Sequence, residues 1–240
     1  MNLSRLSNKN LFGKILRLPL RLLPEDMVIP IMQTKMKGKL WIAGSGVHGY
    51  WLGCYEYALR KFFETKVRAG TVVFDIGAHT GFYTILSSVL VGQRGQVFAF
   101  EPLPRNLSYL HKHLKINNIL NARVVESAVS NYNGTASFDA PSDSSVGRLV
   151  DGSCGLSVSV VSIDGLVSSQ KLPVPDYMKI DVEGEEFSVL LGSEKTLKTR
   201  HPGLFISLHT QEARKKCIEF LVSIDYRIQE IIPNEIYAYT

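Results

Sequence analysis

This chain is missing several features that would have placed it at once. It has no GxxxxGK[ST] loop, which argues against ATP or GTP hydrolysis. Its net charge of +5 is spread thinly from Arg5 to Arg227. There is no basic tract and no aromatic–basic motif, so nucleic acid is not an expected partner. Cysteine is scarce, and Cys54, Cys154 and Cys217 are widely separated and odd in number. That pattern suits reduced thiols in a cytoplasmic setting, not a disulfide frame or a zinc site. No apolar run reaches the roughly 20 residues of a membrane-spanning helix. The basic N-terminus also lacks the uninterrupted apolar stretch of a signal peptide. The apolar and charged fractions, 45% and 20%, are those of an ordinary globular chain.

The informative feature that is present begins at Val72. Val72–Phe74 is a short β-branched and aromatic run, which reads as a buried strand. Asp75-Ile76-Gly77-Ala78-His79-Thr80-Gly81 then forms a turn with two glycines, where the backbone turns tightly and lets a ligand approach. Phe82–Leu90 reads as a helix. A second apolar strand, Gln96–Phe100, ends in the carboxylate of Glu101. Strand, glycine turn, helix, strand and terminal acid are the layout of a nucleoside-binding α/β unit, with the acid on a ribose. The turn is not the GxGxxG of dinucleotide enzymes, because Ala78 and His79 follow Gly77. S-adenosylmethionine is the remaining common ligand for this layout.

Residues 1–69 are expected to form an N-terminal extension and lead-in helix, and residues 70–240 the ligand-binding domain. In the extension, Leu11, Ile15, Leu18 and Leu22 recur on one face and Lys14, Arg17 and Arg21 on another, with Pro19 inside the pattern. Such an element either packs on the domain's flank or touches an anionic membrane surface at its inner face. Tyr50–Val67 reads as one lead-in helix. Pro104–Ile116 carries a Leu103, Leu107, Leu110, Leu114 stripe and follows the second strand, and Ala122–Glu126 is a third strand. Asn131–Ser159 is rich in Ser, Gly, Asp and Asn and reads as a long irregular insertion with one short strand-like piece, Thr135–Phe138, placed where it could cover a substrate. Beyond it lie a strand at Tyr177–Ile180, a helix at Glu185–Leu191, a strand at Leu204–Leu208 and a helix at Glu212–Ile224. Tyr226–Ile232 and Glu235–Tyr239 are joined by Pro233-Asn234, a hairpin signal. The order predicts a mostly parallel sheet with one antiparallel edge strand.

Three blocks carry a family resemblance. Phe74-Asp75-Ile76-Gly77-Ala78-His79-Thr80-Gly81-Phe82-Tyr83-Thr84, Phe100-Glu101-Pro102-Leu103-Pro104-Arg105-Asn106 and Met178-Lys179-Ile180-Asp181-Val182-Glu183-Gly184-Glu185-Glu186 resemble the signature segments of FkbM-type methyltransferases in order and spacing. The resemblance runs from about Gly70 to His209. It implies an α/β, Rossmann-like class I methyltransferase fold with a mostly parallel seven-stranded sheet, an antiparallel C-terminal hairpin and an N-terminal helical extension. It implies S-adenosylmethionine as methyl donor and a hydroxyl of a sugar, glycolipid or secondary metabolite as acceptor. One position departs from the pattern: Ser207 stands where the family often has Glu, two residues before His209.

The acids and the histidine at the strand ends, Asp75, Glu101, Glu126, Asp181 and His209, are expected to converge on one rim. On the donor side the resemblance implies Asp75, Gly77, Ala78, His79, Gly81, Phe82, Tyr83, Glu101, Pro102, Asn106, Ser127 and Ala128. Asp75 would lie near the methionine amino group, Glu101 would accept the ribose hydroxyls, and Ser127 and Ala128 would flank adenine. An alcohol acceptor must also lose a proton, and Asp181, Glu183 and His209 are the candidate bases. The same oxygen and imidazole groups could hold a hard divalent ion, but their spacing does not favour one. Two alternatives remain open: a non-catalytic nucleoside-binding module, and a methyltransferase acting on protein or RNA. The latter would lack the Asn/Asp-Pro-Pro-Tyr/Phe motif of many amino-directed enzymes, since Asp181 is followed by Val182-Glu183.

Overall fold

The computed structural model describes residues 23–139, 148–150 and 156–240. The amphipathic pattern from Leu11 to Leu22 lies outside them, as does Cys154.

The strands of the main sheet are β3 (Val72–Ile76), β4 (Gln96–Phe100), β5 (Ala122–Val125), β10 (Tyr177–Ile180), β11 (Gly203–Ser207), β12 (Arg227–Ile232) and β13 (Glu235–Tyr239). They form one seven-stranded sheet in the order β12-β13-β11-β10-β3-β4-β5. β3, β4, β5, β10 and β11 pair in parallel, and β13 runs antiparallel to both β11 and β12. The mostly parallel sheet with a C-terminal hairpin is as expected. The antiparallel strand is not at the edge, however. β13 slots between β11 and β12, and β12 takes the edge. The residues carry the reason: β13 buries Ile236, Tyr237 and Ala238, whereas β12 carries Arg227, Gln229 and Glu230 exposed, so the more apolar strand takes the inner place.

Because parallel strands are covered on both faces, alternate residues build two cores. Phe74, Ile76, Phe98, Phe100, Met178, Ile180, Leu204 and Ile206 face one way. They meet α6 (Glu186–Leu191), α7 (Glu194–Arg200) and α8 (Gln211–Ser223) through Val189, Leu190, Leu197, Cys217 and Leu221. Val73, Val97, Phe205 and Tyr237 face the other way. There they pack with Phe82, Tyr83, Ile85 and Leu86 of α3 (Phe82–Val91), and with Trp41, Tyr50, Trp51, Leu59 and Phe63 from the lead-in.

The lead-in is not one helix. A short antiparallel pair, β1 (Val28–Pro30) and β2 (Leu40–Ile42), precedes α1 (Gly49–Leu52) and α2 (Tyr57–Lys66). The break falls at Gly53 and Glu56, whose φ values of 72° and 39° lie in the left-handed region. The chain turns there so that Tyr50 and Tyr55 reach Phe82, with ring centroids 5.3 and 5.2 Å away. His113 ties the lead-in to α4 (Pro104–Ile116). Its Nε2 accepts the Ile42 N–H at 3.0 Å, its Nδ1–H donates to the Thr80 carbonyl at 2.8 Å, and Trp41 stacks on the ring at 3.9 Å. Burial pushes its pKa down to about 4, so the ring is neutral and structural.

The segment predicted to be irregular is largely a second sheet. β6 (Ala128–Val129), β7 (Gly134–Asp139), β8 (Arg148–Val150) and β9 (Leu156–Val161) pair in the order β6-β9-β7-β8. In β9 the inward residues are Val158 and Val160, and Ser157 and Ser159 face solvent. A half-buried sheet of this kind hides its apolar signal behind serines. A short helix, α5 (Ile163–Ser168), follows, with Ser162 capping it through Gly165 N–H.

Candidate active site

At the carboxyl end of β3 the chain turns sharply. Gly77 and Ala78 donate their N–H groups to the Phe100 carbonyl at 3.1 and 2.9 Å, and Asp181 N–H donates to the Ile76 carbonyl at 3.0 Å. The turn is therefore stitched to the ends of both neighbouring strands. Gly77 has φ +82°, and a Cβ there would lie 1.9 Å from the Asp181 carbonyl oxygen. Only glycine fits.

Glu101 organises this side. It is 4% exposed. Its Oε2 accepts the His79 N–H at 2.8 Å, and its Oε1 accepts the Leu103 N–H at 2.9 Å and Asn106 Nδ2 at 3.2 Å. Burial pushes its pKa up, and the hydrogen bonds from Leu103, Asn106 and His79 oppose that. Asn106 Oδ1, on the same amide that holds Glu101, is buried without a partner, as is His79 Nε2, whose ring faces Tyr50 and Asp181. Buried polar atoms are normally satisfied, so an unpartnered acceptor beside Glu101 leaves room for a polar ligand. Asp75 lies inside β3, 1% exposed, and accepts from Thr84 Oγ1 at 2.6 Å. Burial raises its pKa to about 6 against the pull of Lys179. Ser127 and Ala128, just past β5, are both buried, and Pro102 is half-buried. Phe82 and Tyr83 find their partners within the protein: Phe82 packs on Trp41, Tyr50 and Tyr55, and the Tyr83 hydroxyl donates to Glu56 Oε2 at 2.8 Å.

Opposite, around the ends of β10 and β11, lies a network of charges. Lys179 is 2% exposed, 2.7 Å from Asp181 Oδ2 and 4.6 Å from the centre of the Tyr83 ring. Asp181 is pushed up by burial, but the Lys179 ammonium outweighs this and holds its carboxyl below the usual range. His209 Nδ1 lies 2.6 Å from Oε1 of the fully buried Glu186, and its Nε2 lies 3.4 Å from Asp181 and 3.7 Å from Glu183. The bond to Glu186 raises its pKa to about 9, despite burial. At neutral pH His209 is therefore an imidazolium, a donor and not a ready base. Ser207 donates to Glu235 Oε2 at 3.0 Å across the β11–β13 ladder. A carboxylate thus reaches the position of Ser207 from the adjacent strand. Glu56, His79 and Glu183, with φ of 39°, 51° and 20°, bring left-handed non-glycine backbone to this rim. Strain of this kind concentrates at functional sites.

The structure brings Asp181, Glu183 and His209 together, and sets Asp75 inside β3 and Glu101 just past the end of β4. Glu126 does not join them. It is 63% exposed at the sheet's outer strand and pairs with His111 at 3.1 Å. Sequence reasoning missed Lys179, Glu186, Glu56 and Glu235. The first two lie inside the third signature block, and a buried lysine flanked by carboxylates is the signal that was available there.

A glycine turn at the first strand, an acid closing the second, a parallel sheet and one reversed strand near the far edge define a class I methyltransferase fold. The sequence model of the methyltransferase FkbM domain matches residues 75–232, and the chain belongs to this family. It is 28% identical over 131 residues to a hexuronic acid methyltransferase, AglP, of Haloferax volcanii, covering 53% of this chain and 52% of that one. The chain thus spans about half the length of that curated relative. It also superposes on a methyltransferase FkbM from Methylobacillus flagellatus with a TM-score of 0.54 and 18% identity, over 81% of this chain and 56% of that one. A fibrillarin from Aeropyrum pernix, solved with natively bound S-adenosyl-L-methionine, aligns with a TM-score of 0.50 and 13% identity, over 75% of each chain. Among the described residues, no helix is long and apolar enough to cross a membrane.

Proposed function

We propose that this protein transfers the methyl group of S-adenosylmethionine to a hydroxyl of a sugar, glycolipid or related metabolite. The observation that carries the donor assignment is the buried Glu101 with the unpartnered Oδ1 of Asn106 beside it. A carboxylate offers about four acceptor positions. Three are filled by His79, Leu103 and Asn106, and a place remains on Oε2 for a ribose hydroxyl. Asn106 Oδ1 would complete its hydrogen bonding to the same ligand. Asp75, fully buried with one acceptor satisfied by Thr84, suits the amino group of the donor. The bound donor would supply a methyl group on a positively charged sulfur leaving group. The protein's part is to align the two reactants, keep water out and remove the acceptor's proton.

Asp181, Glu183 and His209 form the acceptor side. With His209 protonated and Asp181 tied to Lys179, these groups orient a hydroxylated ligand through charge-assisted hydrogen bonds. The Haloferax relative's name supports a sugar acid or sugar as the acceptor class. Cys54 and Cys217, neither of them in a disulfide, suit a cytoplasmic location.

Calorimetry with S-adenosylmethionine and S-adenosylhomocysteine tests donor binding directly. Transfer of labelled methyl to the methyl glycosides of glucose and glucuronic acid tests the acceptor class. Absence of donor binding by the folded protein overturns the reading. Binding without transfer to any hydroxylated acceptor would leave a binding module.

A further inference from the structure

β13 runs against its neighbours, so its first residue lies beside the last residue of β11. Glu235 is paired with Ser207 in that register, and the Leu208 N–H donates to the Asn234 carbonyl at 2.8 Å, fixing the turn there. The Pro233-Asn234 turn, where Asn234 has φ 68°, therefore delivers a carboxylate to the rim formed by the ends of β10 and β11. Glu235 is half-buried, held by Ser207 Oγ at 3.0 Å, and His209 lies two residues beyond that serine.

We infer that Glu235 is the proton acceptor for the hydroxyl that is methylated. The assignment rests on the methyl-transfer reading above. The other acids and the histidine of this side are committed elsewhere. Asp181 is ion-paired with Lys179, Glu186 is buried against His209, Glu183 lies 3.7 Å from the charged His209 ring, Glu56 accepts from the Tyr83 hydroxyl, and the His209 ring already carries its proton. Glu235 faces Lys179 and Asp181 from β10, Glu56 from the lead-in and Tyr83 from α3. Burial raises its pKa to about 7; Lys179 and the Ser207 hydroxyl pull it down, and Glu56 and Asp181 push it up. A base poised near the working pH is the efficient one. In the step itself, the acceptor's O–H bond breaks as its oxygen bonds to the methyl carbon. The proton passes to the Glu235 carboxylate, and the electron pair of the breaking carbon–sulfur bond stays with sulfur. The neutral carboxylic acid then returns its proton to water.

Glu235→Gln keeps the size of the side chain and a partner for Ser207. With the methyl glycosides of glucose and glucuronic acid as probes, it is expected to lower kcat by about 100- to 10,000-fold. S-adenosylmethionine affinity should stay within a few-fold of the parent. The acid limb of the parent's pH–rate profile, centred near 7, should vanish. Ser207→Ala removes a hydrogen bond to the ionised form, so it should move that limb upward. In the protein without ligands, NMR of glutamate labelled with carbon-13 at the carboxyl should show one group titrating near 7, absent from Glu235→Gln. Parent-like kcat and an unchanged acid limb in Glu235→Gln overturn the assignment while methyl transfer stands. Loss of donor binding in the parent overturns the functional reading instead. If neither glycoside is methylated by the parent, the acceptor class is wrong and the carboxyl titration decides: no such group near 7 overturns the role of Glu235.

Discussion

The groups on the β3–β4 side of the rim, Asp75 to Asn106, come from two consecutive strand–turn–helix units. Most of them are held by backbone hydrogen bonds or by one central carboxylate. The opposite side draws Glu56 from the lead-in, Lys179 to Glu186 around β10, Ser207 and His209 around β11, and Glu235 from the reversed strand. It is held almost entirely by charge. The first side is a local device, fixed by chain geometry. The second is an assembly that exists only once distant segments have docked, and its parts depend on one another's ionisation.

If that contrast is right, the charged side should fail through loss of one partner. Lys179→Met leaves Asp181 without its cation in a largely buried setting. It should cost about 3–5 kcal/mol of stability, measured by denaturant unfolding. Adding Asp181→Asn should recover part of that loss, and strict additivity of the two changes would break the picture of a coupled network. On the local side, Gly77→Ala puts a Cβ against the Asp181 carbonyl at a left-handed φ. Strain and overpacking together should cost about 2–5 kcal/mol. A parent-like melting temperature would show that the turn can open without penalty. Glu101→Ala should weaken S-adenosylmethionine binding by roughly 10- to 100-fold, from the loss of about 1.5–3 kcal/mol. Unchanged affinity by calorimetry would remove Glu101 from the ribose role.

The smallest effect is one of pH. His209 is raised to about 9 from an ordinary 6.5. Its contribution to stability is therefore full below about pH 6.5 and is lost as the pH rises through 9. Asp75 and Glu235, raised to about 6 and 7, lose theirs at lower pH, so the window from about pH 7.5 to 9 belongs to His209. A decline on the order of 1 kcal/mol is expected there, given partial exposure to solvent. Unfolding curves of Glu186→Gln should show it flattened, and an equal decline in that variant would detach His209 from Glu186.

The same contrast explains what could be read from the sequence. The Asp75–Gly81 turn, Glu101 and the strands around them are legible because their signals are local: β-branched runs, glycines with positive φ, an acid at a strand end. The break in the lead-in was not legible. Leu52, Tyr55, Leu59, Phe62 and Phe63 keep a helix-like spacing, while Gly53 and Glu56 reverse the chain for the sake of packing on Phe82. The small sheet was hidden by its serines. The place of β13 depends on a competition for the inner position that no single segment encodes. Lys179 and Glu186 sit within a recognised block, yet their pairing partners are known only after folding. Glu235, close in space to Ser207, is far from it along the chain.

The insertion of β13 between β11 and β12 also has a consequence for folding. β11 can dock on β10 before the C-terminal hairpin closes on its other side. Until then β11, Gly203 to Ser207, is a buried and mostly apolar strand with an open edge, and such edges invite pairing with other chains. The helix Gln211–Ser223 packs on one face of the sheet and leaves that edge uncovered. The hairpin therefore serves as the strand's shield, and a variant that slows its closure would expose β11 to other copies of the chain.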